Sequence, residues 1–281
     1  MRGSLSPLDG RYADVAEPIR GLFCERELVN ERIGIELAYL QKLGKTIGLD
    51  VSGVNVCATV LPERVFELEK ITHHDVKAAE LAVREIVPKE LTSFVHFGLT
   101  SQDINSLAVT RQVRGAVVGH IFPAIRSVIT HISAFSDKHK ETVMLSYTHG
   151  QPATPTTLGA QFAVFAERLD NVVRSFITYR WTTKFGGATG GFNAHKLVYP
   201  DVDWCAFGDS FVADYSNGHI MRQQYTTQIE HYDGLGAVFD CMKRLCVIIT
   251  DLCSDMWHYI HLGYLKQRPA SNPKIHLTRT T

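Results

Sequence analysis

LGAVFDCMKRLCVIITDLCSDMWHYI, residues 235–260, is the stretch that decides the fold. Its apolar residues fall at Leu235, Phe239, Met242, Cys246, Ile249, Cys253, Met256 and Ile260, in steps that alternate four and three. That spacing makes a heptad seam on one helix of about seven turns. A helix of this length must bury its seam along other helices, within one subunit or between several. The expected fold class is all-α, with long helices in a bundle.

Helical signals also dominate upstream. Residues 22–43 mix charged and apolar side chains without an internal proline. Segment 61–71, LPERVFELEKI, carries a proline suited to a first turn, and 75–87, DVKAAELAVREIV, stops before Pro88. Thr100-Ser101-Gln102-Asp103 offers hydroxyl and carboxylate groups for another helix start. Two helices are expected over 101–119 and 123–140, divided near Pro123. A further one over 156–183 carries an apolar stripe from Leu158 to Phe176. VMLSY at 143–147 is the best short strand. FGGATGGFNAH at 185–195 places four glycines in a flexible or closely packed connection and fits no dinucleotide fingerprint.

The 281 residues suffice for one large domain or two ordinary ones. Twenty-nine basic residues balance 29 acidic ones, so charge gives no case for nucleic acid or an anionic membrane. Small anionic substrates stay open. MRGSLSPLDGRY lacks a signal-peptide core and no 18-residue apolar run stands out, so a cytoplasmic chain without a membrane span is expected. Cys24, Cys57, Cys205, Cys241, Cys246 and Cys253 form no CxxC pair and are expected as buried thiols rather than ligands. With no HExxH or Cys/His array among thirteen histidines, no metal is expected.

Polar clusters sit at helix starts and loops. In THGQPATP, 148–155, the prolines fix φ and Gly150 can take angles closed to other residues. An imidazole held at His149 can exchange a proton near neutral pH, or it is a surface histidine on a turn. The other clusters are Asp9-Gly10-Arg11-Tyr12, Thr72-His73-His74-Asp75, Thr100-Ser101-Gln102-Asp103 and Tyr225-Thr226-Thr227-Gln228. Each has a structural reading of its own. Ser101 and Asp75 serve as helix caps, Arg11 as a surface ion pair and His74 as a partly buried histidine.

In order, LSPLDGRY (5–12), THHDVKAAE (72–80), FVHFGLTSQDIN (94–105), THGQPATPTTLG (148–159), FNAHKLVYPDVDW (192–204) and YTTQIE (225–230) resemble the fumarase/aspartase superfamily. Within it they closely resemble the adenylosuccinate lyase family of the bacterial type, from Leu5 to about Lys266. The resemblance implies a helical N-terminal domain over 1–99 with phosphate-binding motifs and a partial central helix-bundle domain over 100–266. Residues 267–281 are expected as an atypical, disordered tail. The implied reaction is β-elimination of fumarate from adenylosuccinate, and from the succinyl-carboxamide intermediate SAICAR, by a homotetramer without metal or organic cofactor.

The resemblance also implies residue roles. His149 is the general acid that protonates the departing nitrogen. His74 contacts the substrate, at its phosphate, and orients His149; His73 and Asp75 join it in substrate binding. Thr100 and Ser101 donate to a substrate carboxylate, Arg11 and Tyr12 hold the phosphate, and Gln228 grips the succinyl portion.

The match has gaps. A GSSxMPxKxNP-like loop, whose serine is the family's base, is expected beyond Lys266; QRPASNPKIHLTRTT stands there instead, and Ser271 is not assigned the base. His73 replaces a usual asparagine, and His231-Tyr232-Asp233 replaces Pro-His-Asp. An acid without its base predicts very weak catalysis by this chain alone, and bare heptad stripes predict aggregation or obligate association. The alternative is a non-catalytic truncated isoform or remnant that binds nucleotide or pairs with full-length lyase subunits.

Overall fold

The computed structural model describes residues 5–58 and 60–267; the expected tail from 268 onward, Ser271 included, lies outside the described residues. After a 3-10 turn at Pro7–Asp9 the chain forms α1 (Ala13–Phe23), α2 (Glu25–Ile47), α3 (Pro62–Thr72), α4 (Asp75–Ile86) and α5 (Ser101–Ala116). Then come α6 (Phe122–Lys138), β1 (Val143–Thr148), β2 (Gln151–Thr157), α7 (Leu158–Ile177) and β3 (Trp181–Thr183). α8 (Asn193–Val198), α9 (Trp204–Tyr215), β4 (Ile220–Arg222) and α10 (Asp233–His261) complete it. The framework is helical, as expected, with an antiparallel β1–β2 hairpin and a short parallel β3–β4 pair added.

Local chemistry sets these boundaries. α2 ends where Gly48 takes φ +79° and its N–H reaches the Gly44 carbonyl. Pro62 opens α3, and Asp203 caps α9 by accepting from the Cys205 and Ala206 N–H groups. α5 and α6 are not divided at Pro123. A π turn over Val117–Ile121 joins them into one helical run. Its wider hydrogen-bond register, Phe122 N–H to Val117 carbonyl, comes just ahead of the proline that lacks an N–H. This run, Ser101–Lys138, holds an 18-residue window of mean hydropathy 1.2, long and apolar enough by composition to cross a membrane. The expectation of no such stretch is corrected here, because the run appears only when the two helices join.

The chain forms two compact units, Met1–Ala124 with Thr178–Ala237, and Ile125–Ile177 with Val238–Thr281. Both are discontinuous in sequence and do not follow the division at residue 99. In the first unit Val29, Ile33, Leu37 and Leu40 of α2 bury against Val65 and Leu68 of α3 and Ala78, Ala79, Ala82 and Val83 of α4. The alanines let α4 approach closely, and each large aliphatic side chain so buried contributes roughly 1.5–3 kcal/mol. A second, aromatic core gathers Tyr39, Phe185, Phe207 and Phe211, with ring centroids about 5–6 Å apart. The glycine segment is closely packed rather than flexible. A Cβ on Gly187 would stand 2.7 Å from the Gly98 carbonyl oxygen, and one on Gly98 would stand 2.6 Å from His195 Nδ1.

In the second unit α7 buries the predicted stripe, with Phe162 packed 4.5 Å from Phe135 of α6. α10 differs from expectation. The face covered within the chain is Val238, Cys241, Leu245, Ile248 and Leu252. The predicted seam lies beside it, with Phe239 54% and Met256 38% exposed. The helix carries two adjacent apolar stripes, and the described residues bury only one of them. The cysteine expectation is corrected in the same way. Cys241 is buried, but Cys57, Cys205, Cys246 and Cys253 are exposed and Cys24 is half-buried, because Cys246 and Cys253 belong to the bare stripe.

Candidate functional site

Two helix N-termini meet in the first unit. His74 is the N-cap of α4, where its Nδ1 accepts from the Lys77 N–H at 3.2 Å. Its Nε2 stands 3.2 Å from the hydroxyl of Ser101, the first residue of α5. Each helix directs free N–H groups and the positive end of its dipole toward this junction. Thr72 shapes the approach, since its hydroxyl accepts from the His74 N–H and donates to the His74 carbonyl. Asp75 accepts from Arg32 at 2.5 Å, and Arg32 also donates to Asn105 at 2.9 Å. Arg32, with its side chain 9% exposed, thereby ties α2 to both motifs.

Beneath the junction lies a fully buried ion pair. Lys184 Nζ is 2.7 Å from Asp103 Oδ1, with both side chains wholly enclosed. Asp103 accepts from the backbone N–H groups of Thr100, Gly186 and Gly187, and Lys184 donates to the Gly187 carbonyl at 2.7 Å. Burial pulls the Lys184 pKa below its ordinary value, against the pull of Asp103. The Thr100 hydroxyl, expected to meet a substrate carboxylate, sits 3.3 Å from both Asp103 and Lys184. It is committed to the foundation of the site, while Ser101 faces His74.

His195 underlies the same region. Its Nε2 meets the Tyr39 hydroxyl at 2.8 Å, and that hydroxyl donates to the Phe97 carbonyl at 2.6 Å. Burial pushes the His195 pKa down to about 4, leaving the ring neutral near pH 7. His96, at φ +62°, pairs with the enclosed carboxylate of Glu36 at 2.5 Å.

The structure thus brings His74, Asp75, Thr100 and Ser101 together. His73 is the left-handed C-cap of α3, at φ 51°. Arg11 lies over the Tyr12 ring at 5.5 Å, and Gln228 is exposed. Among the described residues no hydrogen bond joins Arg11, Tyr12, His73 or Gln228 to the His74–Ser101 pair. Gln228 is nonetheless anchored nearby on both sides. Thr226 packs on Gly190, and Tyr232 accepts from Gln102, the neighbour of Ser101. Glu230 in the same segment is buried and accepts from Gln223 at 2.6 Å.

His149 belongs to the second unit, at the tip of the β1–β2 hairpin. Thr148 pairs with Gln151, so His149 and Gly150 form a two-residue turn with φ +53° and +72°. Two successive positive φ values are the geometry that matches strand twist in tight hairpins. The imidazole is exposed at a defined point on a ribbon rather than on an irregular loop.

Sequence reasoning did not identify Arg32, Glu36, Lys184 or His195. The dense glycines before His195 were the available signal, since they permit the close approaches that enclose Lys184.

A profile of a lyase family matches residues 10–273. The chain belongs to this lyase family. It is 37% identical over 287 residues to an adenylosuccinate lyase of Dictyostelium discoideum, covering 94% of this chain and 61% of that protein. Adenylosuccinate lyases of Haemophilus influenzae and Escherichia coli are each 35% identical over 283 residues, with the same coverages. The chain therefore spans about 61% of the length of the curated relatives it matches. In fold it is similar to a fumarate lyase from a Mesorhizobium species, with a TM-score of 0.74 and 19% identity over 87% of this chain and 57% of that one. It is also similar to a β-carboxy-cis,cis-muconate cycloisomerase from Acinetobacter calcoaceticus, with a TM-score of 0.71, 17% identity and the same coverages.

Proposed function

We propose that this chain serves as part of an adenylosuccinate lyase that eliminates fumarate from adenylosuccinate, leaving AMP, and from SAICAR, leaving AICAR. The observation that carries this reading is the His74–Ser101 junction, where two helix N-termini and two side chains converge on a place suited to an oxyanion. In the reaction a base takes the proton beside a substrate carboxylate, the C–N bond breaks, and the departing nitrogen receives a proton. His149 gives that last proton. Ser101 donates to a carboxylate, His74 and Asp75 bind and orient substrate, and Thr100 holds the frame. Arg11, Tyr12 and His73 receive the phosphate end, and Gln228 the succinyl portion. No described residue is assigned the base.

Under this reading residues 1–99 and 100–266 act as N-terminal and central domains of a cytoplasmic homotetramer. The bare stripe of α10, Phe239 through Ile260, receives helices of other copies. Fumarate release from adenylosuccinate tests the proposal, measured with the purified 281-residue chain alone and mixed with full-length lyase subunits inactivated at the histidine that matches His149, so that any release in the mixture depends on this chain. Very slow release alone, and activity in mixed oligomers, is the expected result. Absence of release from both, with the chain folded and incorporated, would sink it. The bare stripe also favours a second reading, a nucleotide-binding companion of full-length subunits. That reading predicts adenylosuccinate binding without any change in the turnover of the mixed oligomer.

A further inference from the structure

At the other end of α5 from the His74–Ser101 junction, a cavity of about 240 Å³ opens between α1, α2, α5 and the turn before β4. Glu31, Arg111, Gln112, Arg114, Asn217 and His219 line it. Its two arginines are unlike. Arg111 is fixed, 2.7 Å from Glu31 and 4.5 Å over the Tyr215 ring. Arg114 is half-buried, and among the described residues no carboxylate lies within ion-pair distance of it. Partial burial without a counter-ion lowers its pKa from the ordinary value. Gln112 is 8% exposed, and its buried Nε2 has no hydrogen-bond acceptor. An enclosed amide without a partner costs on the order of 1–3 kcal/mol. Three residues beyond Arg114, at Val117, the helix widens into the π turn, a distortion frequent at functional sites.

We propose that this cavity is a second binding site, distinct from the His74–Ser101 junction, for a small oxyanion, carboxylate or phosphate. The Glu31–Arg111 pair neutralises itself, which leaves one net positive charge on the wall, carried by Arg114. The guanidinium fork and the Gln112 amide both donate and neither accepts from the other, a lining that matches a ligand made of acceptor oxygens. Asn217 and His219 stand at the exposed mouth, where the ligand enters. The volume suits a phosphate or a short dicarboxylate and is too small for a nucleotide.

Calorimetric titration of the full chain with inorganic phosphate, and separately with succinate, tests this. Saturable binding of either ion is expected, weakened roughly tenfold or more by Arg114→Met and by Gln112→Met. The Arg114-dependent component should persist in His74→Ala, which alters only the helix-junction site. A stability measurement in anion-free buffer supplies the second arm. There Gln112→Met should leave the urea midpoint unchanged or raise it, because it removes an unpaired buried donor. Three results would each overturn the proposal. They are binding indifferent to Arg114 and Gln112, no saturable binding of either ion below about 10 mM, and a Gln112→Met variant destabilised without any anion present.

Discussion

His74 Nε2 and the Ser101 hydroxyl stand 3.2 Å apart although 27 positions separate them in the chain. His74 Nδ1 is occupied by the Lys77 N–H, so a neutral ring carries its proton on Nε2 and donates to Ser101. The serine O–H is then free to donate elsewhere. We expect Ser101→Ala to weaken adenylosuccinate binding roughly 10- to 100-fold, the value of one hydrogen bond to a charged group. His74→Gln should cost less, since its amide can still reach Ser101. Isothermal titration of the two variants checks the order.

His149 can be separated from its backbone role. Asparagine tolerates positive φ, so His149→Asn should preserve the hairpin turn while removing the proton donor. Fumarate release by mixed oligomers carrying this variant should fall by about 10²–10⁴, with KM little changed. A fall below tenfold would remove His149 from the role of general acid.

The enclosed Lys184–Asp103 pair governs stability beneath the site. Lys184→Met leaves an uncompensated buried carboxylate, for which a loss of about 3–5 kcal/mol is expected. Asp103→Ala should be worse, because three backbone N–H groups lose their acceptor as well. Urea denaturation measures both. Losses under about 1 kcal/mol would contradict the enclosure.

Two buried histidines give stability opposite pH dependences. Burial takes His195 from 6.5 down to about 4, against Asp103 and the Phe97 carbonyl. Unfolded His195 binds a proton near pH 6.5 and the folded ring does not. Its contribution is therefore complete above pH 6.5 and is lost, by about 3 kcal/mol, as pH falls toward 4. For His96, burial opposes the charged form, but Glu36, with Glu80 and Asp103, prevails and raises the pKa above 6.5. That contribution is complete below pH 6.5 and lost as pH rises through the raised value. Urea midpoints from pH 4 to 8 should show a flatter acid limb in His195→Gln and a flatter alkaline limb in His96→Gln. Unchanged limbs would refute the assignment.

Helix positions were legible because apolar residues repeat with the helical period. α3, α4, α7 and the β1 strand stand close to where residue patterns put them. The π turn was not legible, since Pro123 signals a break equally well when a wider turn absorbs it. The heptad steps on α10 were correctly spaced, but spacing cannot tell which of two adjacent stripes this chain covers. Within the site, resemblance pointed to His74 and Ser101 while residue patterns alone offered only caps. Lys184 and Arg32 escaped notice because a charge in sequence carries no sign that it will be enclosed.

The Asp103–Lys184 pair also imposes an order of events on synthesis. Gly186 and its companion amide, which complete the carboxylate's set of donors, follow Asp103 by about 83 positions. At roughly 5–20 residues per second, α5 leaves the ribosome several seconds before the segment that neutralises it. During that interval Asp103 must stay hydrated, so the start of α5 cannot settle into its final place. The N-terminal helices can pack early, but the floor beneath the His74–Ser101 junction closes only after residue 187 has emerged.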